Sequence, residues 1–159
     1  MTIRAMIVTI SDTRTLETDK SGQLIEKYLT DSGHRVIKRD IIKDDISSIK
    51  STLEHAINQP DIDVILTTGG TGIAYRDVTI ETVKPLLDKE LTGFGEIFRI
   101  LSYTEDIGSS AIMSRAIAGV AKHKAIFSMP GSSGAVKLAM EKLILPELTH
   151  VVHEIKKDL

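Results

Sequence analysis

The eight residues from Ile3 to Ile10 (IRAMIVTI) carry only two polar side chains, Arg4 and Thr9. Nearly continuous apolar sequence over this length reads as a strand covered on both faces, the habit of parallel sheets. Similar runs return at Asp63–Thr68 (DVILTT) and Ala125–Met129 (AIFSM), and Val36, Ile37, Ile41 and Ile42 mark another strand within His34–Ile42. Between them the apolar period lengthens to that of a helix. Leu24, Ile25, Tyr28 and Leu29 share one face of a helix beginning near Ser21, with Gly33 at its C′ position. Ile46, Ile49, Leu53 and Ile57 mark a second helix, stopped by Asn58-Gln59-Pro60-Asp61.

Thr79 is placed to cap a short helix interrupted at Pro85. Gly93-Phe94-Gly95-Glu96 opens another, with Phe94, Ile97, Phe98 and Leu101 on one stripe. Gly108 to Ala121 has no legible pattern. Val136, Leu138, Ala139 and Leu143 mark the helix after the fourth strand. Pro146 starts the last helix, whose Leu148, Val151, Val152 and Ile155 point inward. Strands alternating with helices predict a three-layer α/β/α sandwich with a mainly parallel central sheet, one domain over residues 1–159.

Composition removes several functions. A net charge of −2 favours neither nucleic acid nor an anionic membrane surface. The absence of cysteine excludes disulfides, thiolate metal sites and cysteine nucleophiles. No apolar stretch reaches transmembrane length, and Met1-Thr2-Ile3-Arg4 lacks signal-peptide architecture, so a cytoplasmic protein is expected.

Ligands of open α/β sheets bind beyond the carboxyl ends of the strands. Four polar or glycine-rich clusters follow strands here: Ser11–Arg14, Lys43–Asp45, Gly69–Gly72 with Asp77, and Pro130–Gly134. In Thr67-Thr68-Gly69-Gly70-Thr71-Gly72, glycine allows positive φ and the approach of a bulky group to bare amides, a concavity suited to phosphate oxygens. Asp77 adds a hard oxygen ligand, which points to a phosphate-and-magnesium site. The chain has no G-x-x-x-x-G-K-[ST] loop, no third glycine after Gly70-Thr71-Gly72, and no G-x-S-x-G elbow. His150 and His153 lie three apart with no carboxylate evidently paired to them and read as a helix face. His34, His55 and His123 read as isolated surface residues.

Ser11-Asp12-Thr13, Thr68-Gly69-Gly70-Thr71-Gly72 with Arg76-Asp77-Val78-Thr79, Gly93-Phe94-Gly95-Glu96, Ser114-Arg115 and Pro130-Gly131 together resemble the MoaB/MogA family of molybdenum-cofactor biosynthesis proteins. The resemblance spans essentially the whole chain and leans to the MoaB branch. It implies binding of molybdopterin and, in transferase members, transfer of AMP from Mg-ATP to its terminal phosphate with release of pyrophosphate. It matches Asp77 and Asp44 to catalytic, magnesium-holding aspartates. By the same resemblance Ser11, Asp12, Thr13, Gly69, Gly70, Thr71 and Gly72 face the nucleotide. Ser114, Arg115, Pro130, Gly131, Ser132 and Ser133 face the pterin and its phosphate. Arg115 can fork onto a phosphate, with a surface or intersubunit ion pair as its plain alternative. Transferase members resemble Pro-Gly-Asn-Pro where this chain has Pro130-Gly131-Ser132-Ser133, which keeps open a non-catalytic pterin carrier working with other molybdenum-cofactor proteins. The family's trimers or dimers of trimers imply a homo-oligomer, for which the Phe94–Leu101 stripe is a candidate face, although a stripe of that kind is more often ordinary core.

Overall fold

The computed structural model describes all residues, 1–159, as a six-stranded sheet of order β2-β1-β3-β6-β5-β4 with helices on both faces. The strands are β1 (Arg4–Ile10), β2 (Arg35–Ile42), β3 (Val64–Thr68), β4 (Lys89–Glu90), β5 (Ile117–Ala121) and β6 (Lys124–Met129). The helices are α1 (Lys20–Asp31), α2 (Ile46–Ile57), α3 (Thr79–Val83), α4 (Thr92–Glu105), α5 (Ser133–Leu138) and α6 (Leu145–Lys156). β2, β1, β3 and β6 run parallel, while β5 and β4 add an antiparallel edge.

The β1 run explains the two covered faces. Ile3, Ala5 and Ile7 pack with Ile25 and Leu29 of α1, Phe94 and Phe98 of α4, and Leu148 and Val152 of α6. Met6, Val8 and Ile10 point the other way, onto Ile49, Leu53 and Ala56 of α2 and Val83 of α3. With a side-chain period of two, one apolar strand feeds both layers. Chain order places the helices: β1 is followed by β2 on one side and β3 lies on the other. Right-handed crossovers therefore put α1 and α2 on opposite faces. The order reverses between β1 and β3, where a crevice must open.

Two strands of the edge escape sequence reading. β5 falls in the Gly108–Ala121 stretch, which begins with a 3-10 turn at Gly108–Met113, and β4 has two residues. A tight turn at Lys122-His123, both left-handed (φ 46° and 67°), closes the β5–β6 hairpin. The α4 stripe is rotated from expectation. Phe94, Gly95, Phe98 and Ser102 are buried, and Ile97 and Ile100 are exposed. Thr79 does not cap α3, whose N-cap Val78 has no side-chain bond; its hydroxyl donates to the Gly69 carbonyl instead. The final helices are joined through a π-helical segment, Ala139–Ile144. That wider turn accommodates Pro146, which has no N–H to donate.

Candidate active site at the strand exits

Register brings the exits level. Thr9 pairs with Thr68, Ile10 with Ile42, and Thr68 with Met129, so all four parallel strands end on one rim. Gly69 and Gly70 turn the chain there with φ of 101° and 69°. A Cβ on Gly69 would lie 2.4 Å from the Ile10 carbonyl oxygen, and one on Gly70 would lie 2.3 Å from Thr79 Oγ1. Both positions therefore require glycine twice over, by dihedral and by space. The turn is pinned from outside: Gly69 N–H donates to Met129 O, and Thr68 Oγ1 donates to Pro130 O, each at 3.0 Å.

Three aspartates surround the bend. Asp12 Oδ1 accepts the Asp44 amide at 3.0 Å, joining the exits of β1 and β2, and Asp12 Oδ2 accepts from Arg76. These partners, the Asp44 amide foremost, hold the Asp12 carboxyl below its ordinary range. Asp77 Oδ2 accepts the Ala74 amide at 2.9 Å, which closes its own loop. Asp44 differs from both. Its Oδ1 is buried with no hydrogen-bond partner and sits 3.0 Å from where a Gly70 Cβ would be. Burial pushes the Asp44 carboxyl above its ordinary value, and the charges of Asp12 and Asp77 push the same way, offset in part by Arg76.

No three His, Asp or Glu side chains converge as a metal cage. An orphaned buried carboxylate oxygen beside two further acids fits instead a hard divalent ion that keeps waters and takes one or two carboxylates. Asp44 and Asp77 can serve as those ligands.

Two cavities meet at the glycine bend. One, about 420 Å³, is lined by Gly69–Gly72, Asp77, Ser114, Arg115 and Pro130-Gly131, with Ile107 and Met113 as apolar wall. The other, about 310 Å³, takes in Thr9, Ser11, Arg14, Asp19, Lys20, Ser21, Ser132 and Ser133. Only Gly69 and Gly131 belong to both. The structure thus sorts the residues differently from the resemblance. Ser132 and Ser133 share a cavity with Ser11, while Ser114 and Arg115 share one with the Gly69–Gly72 turn. Asp12 lines neither and faces a third, more open depression beyond β2. Thr13 lines none of these; its amide donates to Ser11 Oγ in a local turn.

Arg115 is already engaged. Its Nε donates to the Thr71 and Gly72 carbonyls at 3.0 and 3.1 Å, its Nη2 to Gly72 O at 2.7 Å, and its other amine pairs with Glu81. These contacts form a clasp that holds the glycine loop, with the guanidinium in the ion pair that stood as the alternative to a phosphate fork. The Glu81 carboxyl lies below its ordinary value chiefly through that hydrogen bond. Ser132 caps α5 through the Ala135 amide, and Ser21 Oγ donates to Gly131 O. Sequence reasoning placed Arg14 in the cluster after the first strand but missed Asp19, Lys20 and Ser21. Their signal was the cations and hydroxyls continuing past Thr13 into α1. His150 lies on an exposed helix face as expected, but two histidines have partners that the sequence did not reveal. His150 pairs with Glu147 at 2.9 Å, and His34 accepts the Ile3 amide at 3.1 Å.

The model of the probable molybdopterin binding domain matches residues 6–150 of the chain. The chain belongs to this family. Molybdenum cofactor biosynthesis protein B of Bacillus cereus is 60% identical over 156 residues, 98% of this chain and 92% of that protein. A crystal structure of a molybdenum cofactor biosynthesis protein B superposes with a TM-score of 0.97 at 59% identity, covering 99% of this chain and 98% of the other. The tungsten cofactor synthesizing protein MoaB from Pyrococcus furiosus gives 0.86 at 39% identity, over 98% of each chain. The match runs from within β1 into α6 and takes in all four strand exits on the rim. No helix is long and apolar enough to cross a membrane.

Proposed function

We propose that this protein acts in molybdenum cofactor biosynthesis, binding molybdopterin on the rim and transferring AMP to its terminal phosphate from Mg-ATP. In that reaction a pterin phosphate oxygen attacks the α-phosphorus of ATP, the bond to the β-phosphate oxygen breaks, and pyrophosphate leaves. The names of the relatives support the pathway. The observation that carries the chemistry is the unpartnered Asp44 Oδ1 against the Gly70 bend, with Asp77 on the same rim.

Magnesium held by Asp44 and Asp77, with most of its waters retained, would neutralise phosphate charge at the bend. The chain supplies the rest by position. Bare amides at Gly70–Gly72 face the phosphates, Arg115 keeps that loop from collapsing, and Ile107 and Met113 offer apolar surface to a ring. Phosphoryl-group transfer asks for positioning and charge neutralisation more than covalent chemistry.

A second reading, a pterin carrier without turnover, is favoured by two features. Arg115 is held by Glu81 and loop carbonyls, and the last exit reads Pro130-Gly131-Ser132-Ser133. Incubation with molybdopterin and Mg-ATP separates the two. Adenylylated pterin is expected, and Asp77→Asn should cut its formation by about a hundred-fold while the melting temperature stays close to wild type. Tight pterin binding with no product selects the carrier. Full turnover in Asp77→Asn removes the role given to Asp77. We take the exposed apolar side of α4, with Ile107, Ile112 and Met113 beyond it, as the contact between copies of the chain.

A further inference from the structure

The cations on the rim fall into two groups. Arg76 is paired with Asp12, Arg115 with Glu81, and Arg39 with Asp19 and Glu26. Arg14 and Lys20 make no ion pair; Arg14 reaches only the Thr18 carbonyl, at 3.5 Å. Both line the cavity of about 310 Å³, in which one of twelve lining residues is hydrophobic. The single carboxylate of that cavity, Asp19, is buried. Its oxygens accept from Thr9 Oγ1 at 2.6 Å, the Gly22 amide at 3.0 Å and Arg39 at 3.1 Å. Asp19 is therefore compensated from behind, and the cavity keeps two uncompensated positive charges.

We propose that this cavity is a phosphate compartment, with Arg14 and Lys20 as its charge donors, and that it receives a phosphate-ester or pyrophosphate group of the reacting substrates. The inference rests on the adenylyl-transfer reading above and adds to it two residues and a division of the cleft. The compartment offers too little apolar surface for a ring, whereas its neighbour has Ile107 and Met113. The two cavities share Gly69 and Gly131, neither of which has a side chain to stand between them. A ligand whose charged end lies beside Arg14 can thus extend past two glycines to the Asp77 side. Nearby hydroxyls, Ser11 and Ser133 among them, add neutral donors suited to phosphate oxygens.

The test is a calorimetric titration of the full chain with inorganic pyrophosphate, free of magnesium, at two salt concentrations. Arg14→Ala and Lys20→Ala should each weaken binding by about ten-fold and flatten its salt dependence, and Arg14→Lys should recover most of the loss. Lys43→Ala, at the rim but outside the cavity, should stay within about two-fold. Unchanged pyrophosphate binding in both alanine variants overturns the compartment, as does a wild-type chain that ignores pyrophosphate. Adenylyl transfer is assayed in parallel. Weakened pyrophosphate binding in a protein whose wild type makes no adenylylated pterin upholds the compartment and removes the transferase reading. Product formed equally by wild type and both variants does the reverse.

Discussion

Asp44 Oδ1 has given up water without gaining a donor, and its carboxylate faces two more acids. A carboxyl whose folded value lies above its unfolded one favours folding below the unfolded value and loses that contribution as pH rises through the folded value. At neutral pH the ionised side chain therefore weighs against the fold. Asp44→Asn should raise stability at pH 7 by about 1 kcal/mol, and the gain should vanish as pH falls toward about 4. Urea unfolding across that range measures it. A variant destabilised at pH 7 in the presence of a metal chelator would show that a donor within the protein holds the carboxylate. At this scale the sequence was informative where backbone chemistry dictates the residue, as at Gly69 and Gly70. It was silent on partners far along the chain. Nothing local tells that Arg115 will meet Glu81, 34 positions earlier, so the sequence leaves both a phosphate and an ion pair open to that cation.

Strands covered on both faces announce themselves by unbroken apolar runs, which is why β1, β3 and β6 were legible. β5 (IAGVA) carries a glycine because β4 and Leu87 press close; a Cβ on Gly119 would lie 2.4 Å from the Lys89 carbonyl oxygen. Two-residue β4 has no period to detect. Helix α4 carries apolar residues on more than one side, so spacing alone could not say which side its own core covers. Phe94 and Phe98 stack into that core, with Phe94 edge-on to Phe127. The outward side leaves Ile97, Ile100 and Tyr103 in solvent, continued by Ile107 and Ile112, the last 88% exposed. Surface of that kind on a single chain favours association. The wild-type protein should sediment as a homo-oligomer, and Ile100→Glu with Ile112→Glu should leave a monomer of unchanged far-ultraviolet circular dichroism. A monomeric wild type would remove this face from the account.

Across the whole molecule the two ends of the sheet do different work. The carboxyl end holds the glycine bends and their acids. At the amino end, Asp63 is buried between Arg4 of β1 and Lys156 of α6. Burial alone would raise its carboxyl, but hydrogen bonds from the Arg4 side chain, Lys156 and the Arg4 amide hold it well below the carboxylate range. A depressed value contributes stability that is complete above the unfolded carboxylate value and is lost as pH falls through the folded one. Asp63→Asn should therefore cost about 2 kcal/mol at pH 7, allowing for the half-exposed cations. The difference from wild type should close in strong acid while pterin binding at pH 7 is untouched. Melting curves from pH 7 to 2 decide this, and a constant difference would assign the effect to packing. The Lys122-His123 turn lies at this same end, where β6 starts beside β3. A fluorophore or tether grafted onto that bend would hold the molecule by its far pole and leave the cleft on the opposite rim open to incoming solutes.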